Sequence, residues 1–170
     1  MDENRTIWKN AINYGAITGL SLVVFTIILY VTNLTFNKSL GFLNYGILIL
    51  FIVIATKKQR ESENGIISFG KAFGLGVIVS LISAIILGIF MYFLYAFIDP
   101  DLIQKISDLQ EQELLAQGLP DEQVENAIEM SKKFVGPTII SIGTVFGFTF
   151  IGTIISLITS AILKKTENFN

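Results

Sequence analysis

The chain has 170 residues, of which 52% are hydrophobic and 15% charged, with a formal net charge of −2 and a mean hydropathy of +0.64. A water-soluble domain carries about 25% charged residues, so the deficit points to lipid. There is no Cys and no His, which excludes disulfides, thiolate nucleophiles, haem attachment through Cys and imidazole–metal chemistry.

In chain order, the first uncharged run lies between Lys9 and Lys38. An apolar helix of about 20 residues crosses a hydrocarbon core of roughly 30 Å, and the run predicts a first span over 11–32. It is too long for a signal-peptide core and no A-x-A-like site follows it, so it reads as a retained span. Trp8 beside Lys9 fits an interfacial anchor. Ala11, Gly15 and Gly19 form one row of small residues on this helix.

The second span is expected over 40–56, the shortest of the set and diluted by Gly41, Asn44 and Gly46. A charged loop, 57–71, follows. Lys57, Lys58, Arg60 and Lys71 in it are candidate contacts for lipid headgroups. The plainer alternative for Lys71 is snorkelling, its methylenes lying with Phe69 and Phe73 while the ammonium reaches the interface.

The stretch NGIISFGKAFGLG, Asn64–Gly76, holds four Gly in thirteen residues and leads into a third span over 72–98. Helix propensity in water disfavours such a composition. In a bilayer, however, backbone hydrogen bonding enforces the helix, and small residues let helices approach closely. Read every fourth residue, the row Ser68, Ala72, Gly76, Ser80, Ala84, Gly88 is small throughout, with Gly70 and Gly74 on a neighbouring row. Four residues turn a straight helix by about 400°, so the row drifts about 40° per step. The two halves of the third span are therefore expected to face different neighbours, with the span central and packed on the first and fourth. Packing within one chain is the bland reading of these rows, and a homodimer face or gate the functional one.

Residues 99–133 carry nine acidic side chains against Lys105, Lys132 and Lys133. Leu102, Ile106 and Leu109 recur at helical spacing, as do Val124, Ile128, Ser131 and Val135. Gly118 supplies a stop, Pro120 a restart, and Asp121 and Glu122 fall in the new first turn. The expectation is a helical hairpin outside the membrane, with an acidic face that is solvated or docks a partner. Asp99 and Asp101 are at most a weak cation site, since no calcium-loop spacing occurs. Gly136-Pro137 then breaks the chain before a fourth span over 138–163, which carries Gly143 and Gly147, then Gly152, Ser156 and Ser160 after a one-residue slip.

Together these elements give an all-α, polytopic membrane protein. It forms a single domain over 1–170, with four transmembrane helices and an extracytoplasmic hairpin between the third and fourth. A soluble bundle would need a polar face on each helix, and four uncharged runs deny it one. Four spans place both termini on one side. That side holds eight Lys and Arg residues (Arg5, Lys9, Lys57, Lys58, Arg60, Lys71, Lys164, Lys165) against four on the other (Lys38, Lys105, Lys132, Lys133). The positive-inside rule therefore puts both termini in the cytoplasm.

Chemistry is scarce. No span contains Asp, Glu, Lys or Arg at depth, and Asn13 and Asn44 are the strongest polar groups there. Intramembrane Ser and Thr can bond back to their own helix. The Gly and Lys of GKAFGLG lack P-loop spacing, and the chain is neither basic enough nor patterned for nucleic acid. No catalytic, cofactor-binding or metal-ligating residue is identified, and no cofactor is implied.

ENGIISFGKAF with the apolar span after it, the acidic loop opening DPD, the MSKKF segment and the closing AILKK resemble family 4199 of domains of unknown function, small four-span bacterial proteins. The similarity runs from about Lys9 to Lys165 and includes Ser68, Phe69, Gly70, Lys71, Ala72 and Phe73 as a recurring element. What the resemblance implies is topology and a bacterial cytoplasmic-membrane location, with no activity and no functional residues to carry over. The expectation for function is a non-enzymatic accessory or assembly subunit, partnered by the lipid bilayer and by another membrane protein or a second copy. Alternatives are a small transporter or channel for a neutral or lipidic solute, and a component of lipid-linked-sugar metabolism.

Overall fold

The apolar runs fold as long helices because a segment without water must satisfy its own backbone. In a computed structural model that describes residues 2–165, and side chains from Thr6, seven α-helices follow one another. They are α1 (Asp2–Val31), α2 (Lys38–Gly41), α3 (Leu43–Ser62), α4 (Phe69–Phe93), α5 (Asp101–Ala116), α6 (Asp121–Lys132) and α7 (Pro137–Leu163). A π-helical turn, Leu94–Ile98, prolongs α4. Four stretches are long and apolar enough to cross a membrane: Thr6–Val31, Lys38–Ser62, Phe69–Ile98 and Pro137–Leu163. Among the described residues there is no strand, only one isolated bridge between Ile67 and Lys165.

The helices outrun the uncharged segments. α3 continues past Thr56 through Lys57, Lys58 and Arg60 to Ser62, so the first six residues of the expected loop are helical. Lys, Gln, Arg and Glu are good helix formers, and nothing requires a helix to stop where lipid does.

Where helices do end, three of them end alike. Asn33 (φ 57), Asn64 (φ 56) and Gly118 (φ 78) take left-handed backbone just past α1, α3 and α5. In each, the next residue donates its N–H five residues back: Leu34 to Leu29 O at 2.8 Å, Gly65 to Arg60 O at 2.8 Å, Leu119 to Leu114 O at 3.4 Å. This is the Schellman arrangement, which gives partners to carbonyls the helix leaves over.

The chain divides into two compact units, one comprising residues up to Leu87 together with those from Val145, the other Gly88–Thr144. In the first unit Ala11, Leu48, Ile52, Ala55, Leu75 and Val79 are fully buried and form the core. Glycines set the spacing of its helices. A Cβ on Gly15 would lie 2.7 Å from Ile82 Cβ, and one on Gly19 would lie 2.8 Å from Ile86 Cβ, so the bare backbone of α1 receives the isoleucine side chains of α4. Between α4 and α7 the contact is reciprocal: Gly76 faces Ser156, and Gly152 faces Ser80. Each serine is four residues beyond a glycine on its own helix, and bonds back to it. Ser80 Oγ donates to Gly76 O at 2.8 Å and Ser156 Oγ to Gly152 O at 2.6 Å. The hydroxyls are thereby satisfied, and both faces meet as small, flat surfaces.

In the second unit Ser141 Oγ donates to Gly88 O at 2.7 Å, so Gly88 also meets α7. Both Gly76 and Gly88 of the row thus meet α7, and Gly76 approaches Ile52 of α3 as well. Rows of i±4 residues run inclined to the helix axis, and a partner packed at an angle can follow one. α5 and α6 form the hairpin in this unit, joined by Val124 and Ile128, both buried, and by Ser131 Oγ donating to Gln110 Oε1 at 2.7 Å.

Candidate functional site: a polar clasp where helix ends converge

Polar side chains with partners far along the chain gather at one end of the first unit. The stripe Ile52, Ala55, Thr56, Gln59 runs down one face of α3 at helical spacing, and every member is buried. Gln59 is thus carried inward although it lies beyond Lys57 and Lys58, with a relative exposure of 0%. A buried amide must find partners or cost about 1–3 kcal/mol. Gln59 finds two: Asn10 Nδ2 donates to its Oε1 at 2.7 Å, and its Nε2 donates to Glu63 Oε1 at 2.7 Å. Lys71 Nζ reaches the second carboxylate oxygen, Glu63 Oε2, at 3.2 Å.

Local structure sets each position. Glu63 is the C-cap of α3, its N–H shared between Gln59 O and Arg60 O, and the left-handed Asn64 and Gly65 then turn the chain. The reversal carries Ile67 to Lys165, where each N–H donates to the other's carbonyl at 3.0 Å. Arg60 Nη1 donates to Leu163 O at 3.4 Å, a cation set on the carbonyl end of α7, where the helix dipole favours it. α1, α3, the α3–α4 turn and the end of α7 are thus tied at one end. The first residues of α1, the α3–α4 connection and the C-terminal end of α7 share that end, as four crossings require.

The sequence-derived candidates fall in different places. Gly15, Gly19, Ala72, Gly76, Ser80, Ala84, Gly88 and Gly152 are buried, whereas Ser68, Gly143 and Gly147 are exposed. A Cβ on Gly143 or Gly147, or on Gly70 or Gly74, would meet nothing within 4 Å. Of the headgroup candidates, Lys57 and Lys58 are exposed, Lys58 pairing with Glu61 at 3.2 Å. Arg60 and Lys71 instead belong to the clasp. Asn13 is exposed on α1. In the hairpin, Lys105 approaches Asp99 at 3.9 Å, and among the described residues no acidic group is arranged to hold a metal ion.

Asn10, Gln59 and Glu63 were not singled out from sequence. One signal was available: a Gln continuing the apolar i, i+3, i+7 stripe after the first charges.

Chemically the clasp is a chain of polar contacts from Asn10 through Gln59 and Glu63 to Lys71. Its carboxylate is engaged by an amide and an ammonium. Hydroxyls within the spans mostly bond to their own helices, as Thr18 does to Tyr14 O at 2.6 Å, Thr26 to Leu22 O at 2.8 Å and Thr56 to Ile52 O at 2.8 Å. Three buried atoms, Asn44 Oδ1, Thr149 Oγ1 and Ser160 Oγ, have no hydrogen-bond partner among the described residues. Thr149 and Ser160 stand roughly 16 Å apart along α7, too far to form one site.

A family model described as "Protein of unknown function (DUF4199)" matches residues 13–165. No curated protein and no solved structure matches the chain.

Proposed function

This chain belongs to the DUF4199 family of proteins of unknown function, and we propose that it is a non-enzymatic accessory or assembly subunit that acts by packing against another membrane protein. We place it in the cytoplasmic membrane of a bacterium with both termini inside. The observation that carries the reading is the fate of the intramembrane hydroxyls. A conduit for a polar solute needs Ser and Thr along a wet gap, whereas here Thr18, Thr26, Thr56, Ser80, Ser83 and Ser156 are buried and donate to carbonyls of their own helices. Support for association comes from α7, whose Gly143 and Gly147 lie on the exposed face with Phe146 and Phe150 beside them. Small residues flanked by large ones admit a second helix at close range.

Orientation rests on charge. Lys9, Lys57, Lys58, Lys164 and Lys165 are exposed near the clasp, as is Trp8 in the first turns of α1. Extraction of the full chain into lipid nanodiscs, followed by identification of co-purifying proteins, tests the proposal. A second membrane protein in fixed stoichiometry is expected, lost on Gly143→Leu with Gly147→Leu. A lone monomer with lipid overturns it.

A further inference from the structure

The segment joining the hairpin to α7 is short, and its side chains are sorted by direction. On α6, Val124, Ile128 and Ser131 turn toward α5. Lys132 lines a groove with Asp121, Glu125 and Glu129 on one flank. The helical turn continues beyond Lys132, since Lys133 keeps right-handed helical backbone and Phe134 N donates to Ser131 O at 2.8 Å. At about 100° per residue, Lys133, Met130 and Phe134 then share one arc about 100° wide that excludes Val124, Ile128 and Ser131. Met130 is 64% exposed and Phe134 68% exposed. Among the described residues no carboxylate pairs with Lys133.

The tether decides what this arc can meet. Pro137 opens α7, and three residues of extended chain reach at most about 10 Å, so Phe134 stays that close to a membrane-spanning helix. α7 has 27 residues, about 40 Å at 1.5 Å each, which is longer than the roughly 30 Å hydrocarbon core. The excess of about 10 Å lets its first turn reach the headgroups, and Ile139 and Ile142 continue an exposed apolar surface from it. Two large apolar side chains and a cation at that depth match an acyl-chain boundary beneath phosphate.

We propose that Met130, Lys133 and Phe134 form an interfacial anchor on the hairpin side of the membrane, Met130 and Phe134 entering the acyl boundary and Lys133 binding the phosphate of an anionic lipid. The anchor does not depend on whether the chain recruits a partner. It holds the end of α6 to the bilayer and leaves the Asp121, Glu125 and Glu129 flank toward water.

The test uses the full chain in bilayers of phosphatidylcholine with phosphatidylglycerol. Trp8→Phe removes the sole tryptophan, and Phe134→Trp, or separately Met130→Trp, installs the probe. Expected are blue-shifted emission, quenching by bromine-labelled acyl chains and resistance to aqueous iodide. Iodide quenching overturns the anchor, and so does shielding from both quenchers, which would mean that protein covers the site. Energy transfer from the probe to fluorescent phosphatidylglycerol, relative to fluorescent phosphatidylcholine, reads the headgroup. Lys133→Gln should lower that ratio about five-fold, the weight of one cation near an anionic surface, with Lys133→Arg retaining it. An unchanged ratio in Lys133→Gln overturns the phosphate contact, and loss of the ratio on adding inorganic phosphate points to a free anion instead.

Discussion

Gly76→Ala adds one methyl group where α4 and α7 touch. The new Cβ would lie 2.8 Å from Ser156 Cβ and 3.2 Å from Ile52 Cγ2, and closer still to Ser156 Oγ. Carbon atoms rest at about 3.5–4.0 Å, so the two helices must part by roughly 0.7–1.2 Å at this level. Ser156 cannot swing aside freely, because its hydroxyl is held to Gly152 O at 2.6 Å and its partner face is occupied by α4. Overpacking of this kind costs about 1–3 kcal/mol, or roughly 5- to 150-fold in the folding equilibrium.

The assay is reversible unfolding of the full chain in mixed micelles, read by circular dichroism. Gly143→Ala serves as the control, since its Cβ would meet nothing within 4 Å. The double variant Gly76→Ala with Ser156→Gly removes the obstructing atoms. Its loss should be smaller than the sum of the two single losses, the coupling expected of residues in contact. If Gly76→Ala proves as silent as Gly143→Ala, the close approach of α4 and α7 is wrong.

Other perturbations address the ends of the molecule. Gln59→Leu strips Asn10 and Glu63 of their shared partner and should cost about 1–3 kcal/mol; faster proteolysis within Glu63–Ser68 at unchanged helix content is the expected readout, and unchanged cleavage would count against the clasp. Asn64→Val puts a β-branched residue where φ is 56, costing about 1–3 kcal/mol, while Asn64→Gly should leave the melting temperature nearly unchanged. Because the chain has no Cys, Gln112→Cys labelled in intact cells reports orientation: reaction with an impermeant maleimide is expected, and reaction only after lysis would reverse the assignment of both termini.

Much of the architecture was legible because one physical constraint dominates it. Lipid forbids charge and unpaired backbone, so uncharged runs mark helices almost regardless of their composition. The stop at Gly118 was equally readable, since glycine tolerates the left-handed cap without strain. Asn33 and Asn64 occupy the same position in the same motif, yet asparagine has many other uses and gave no comparable signal. Small-residue spacing was less informative than it looked. Gly76 and Ser80 face α7, while Gly143 and Gly147, at the same i, i+4 interval, face outward. The interval says that a helix could approach closely there. It does not say on which side of the helix the neighbour stands.

The clasp was invisible for a different reason. Asn10 and Gln59 are 49 residues apart, and each alone is an unremarkable polar residue near a helix end. Their pairing exists only because α1 and α3 lie side by side and the buried stripe of α3 runs beyond the apolar segment. The two kinds of contact also divide the work. Around Gly76 and Gly152 the contact between α4 and α7 carries no hydrogen bond across it among those described, since Ser80 and Ser156 are each turned to their own backbone, whereas Ser141 Oγ donates across to Gly88 O. At the level of Gly76 and Gly152 close packing alone sets how near the helices come. The Asn10–Gln59–Glu63–Lys71 chain of contacts is directional, and displacement by one turn, about 5.4 Å, would break it. Distance is thus set by glycine along the spans, and register by directional polar contacts, the clasp and the Ser141–Gly88 bond among them.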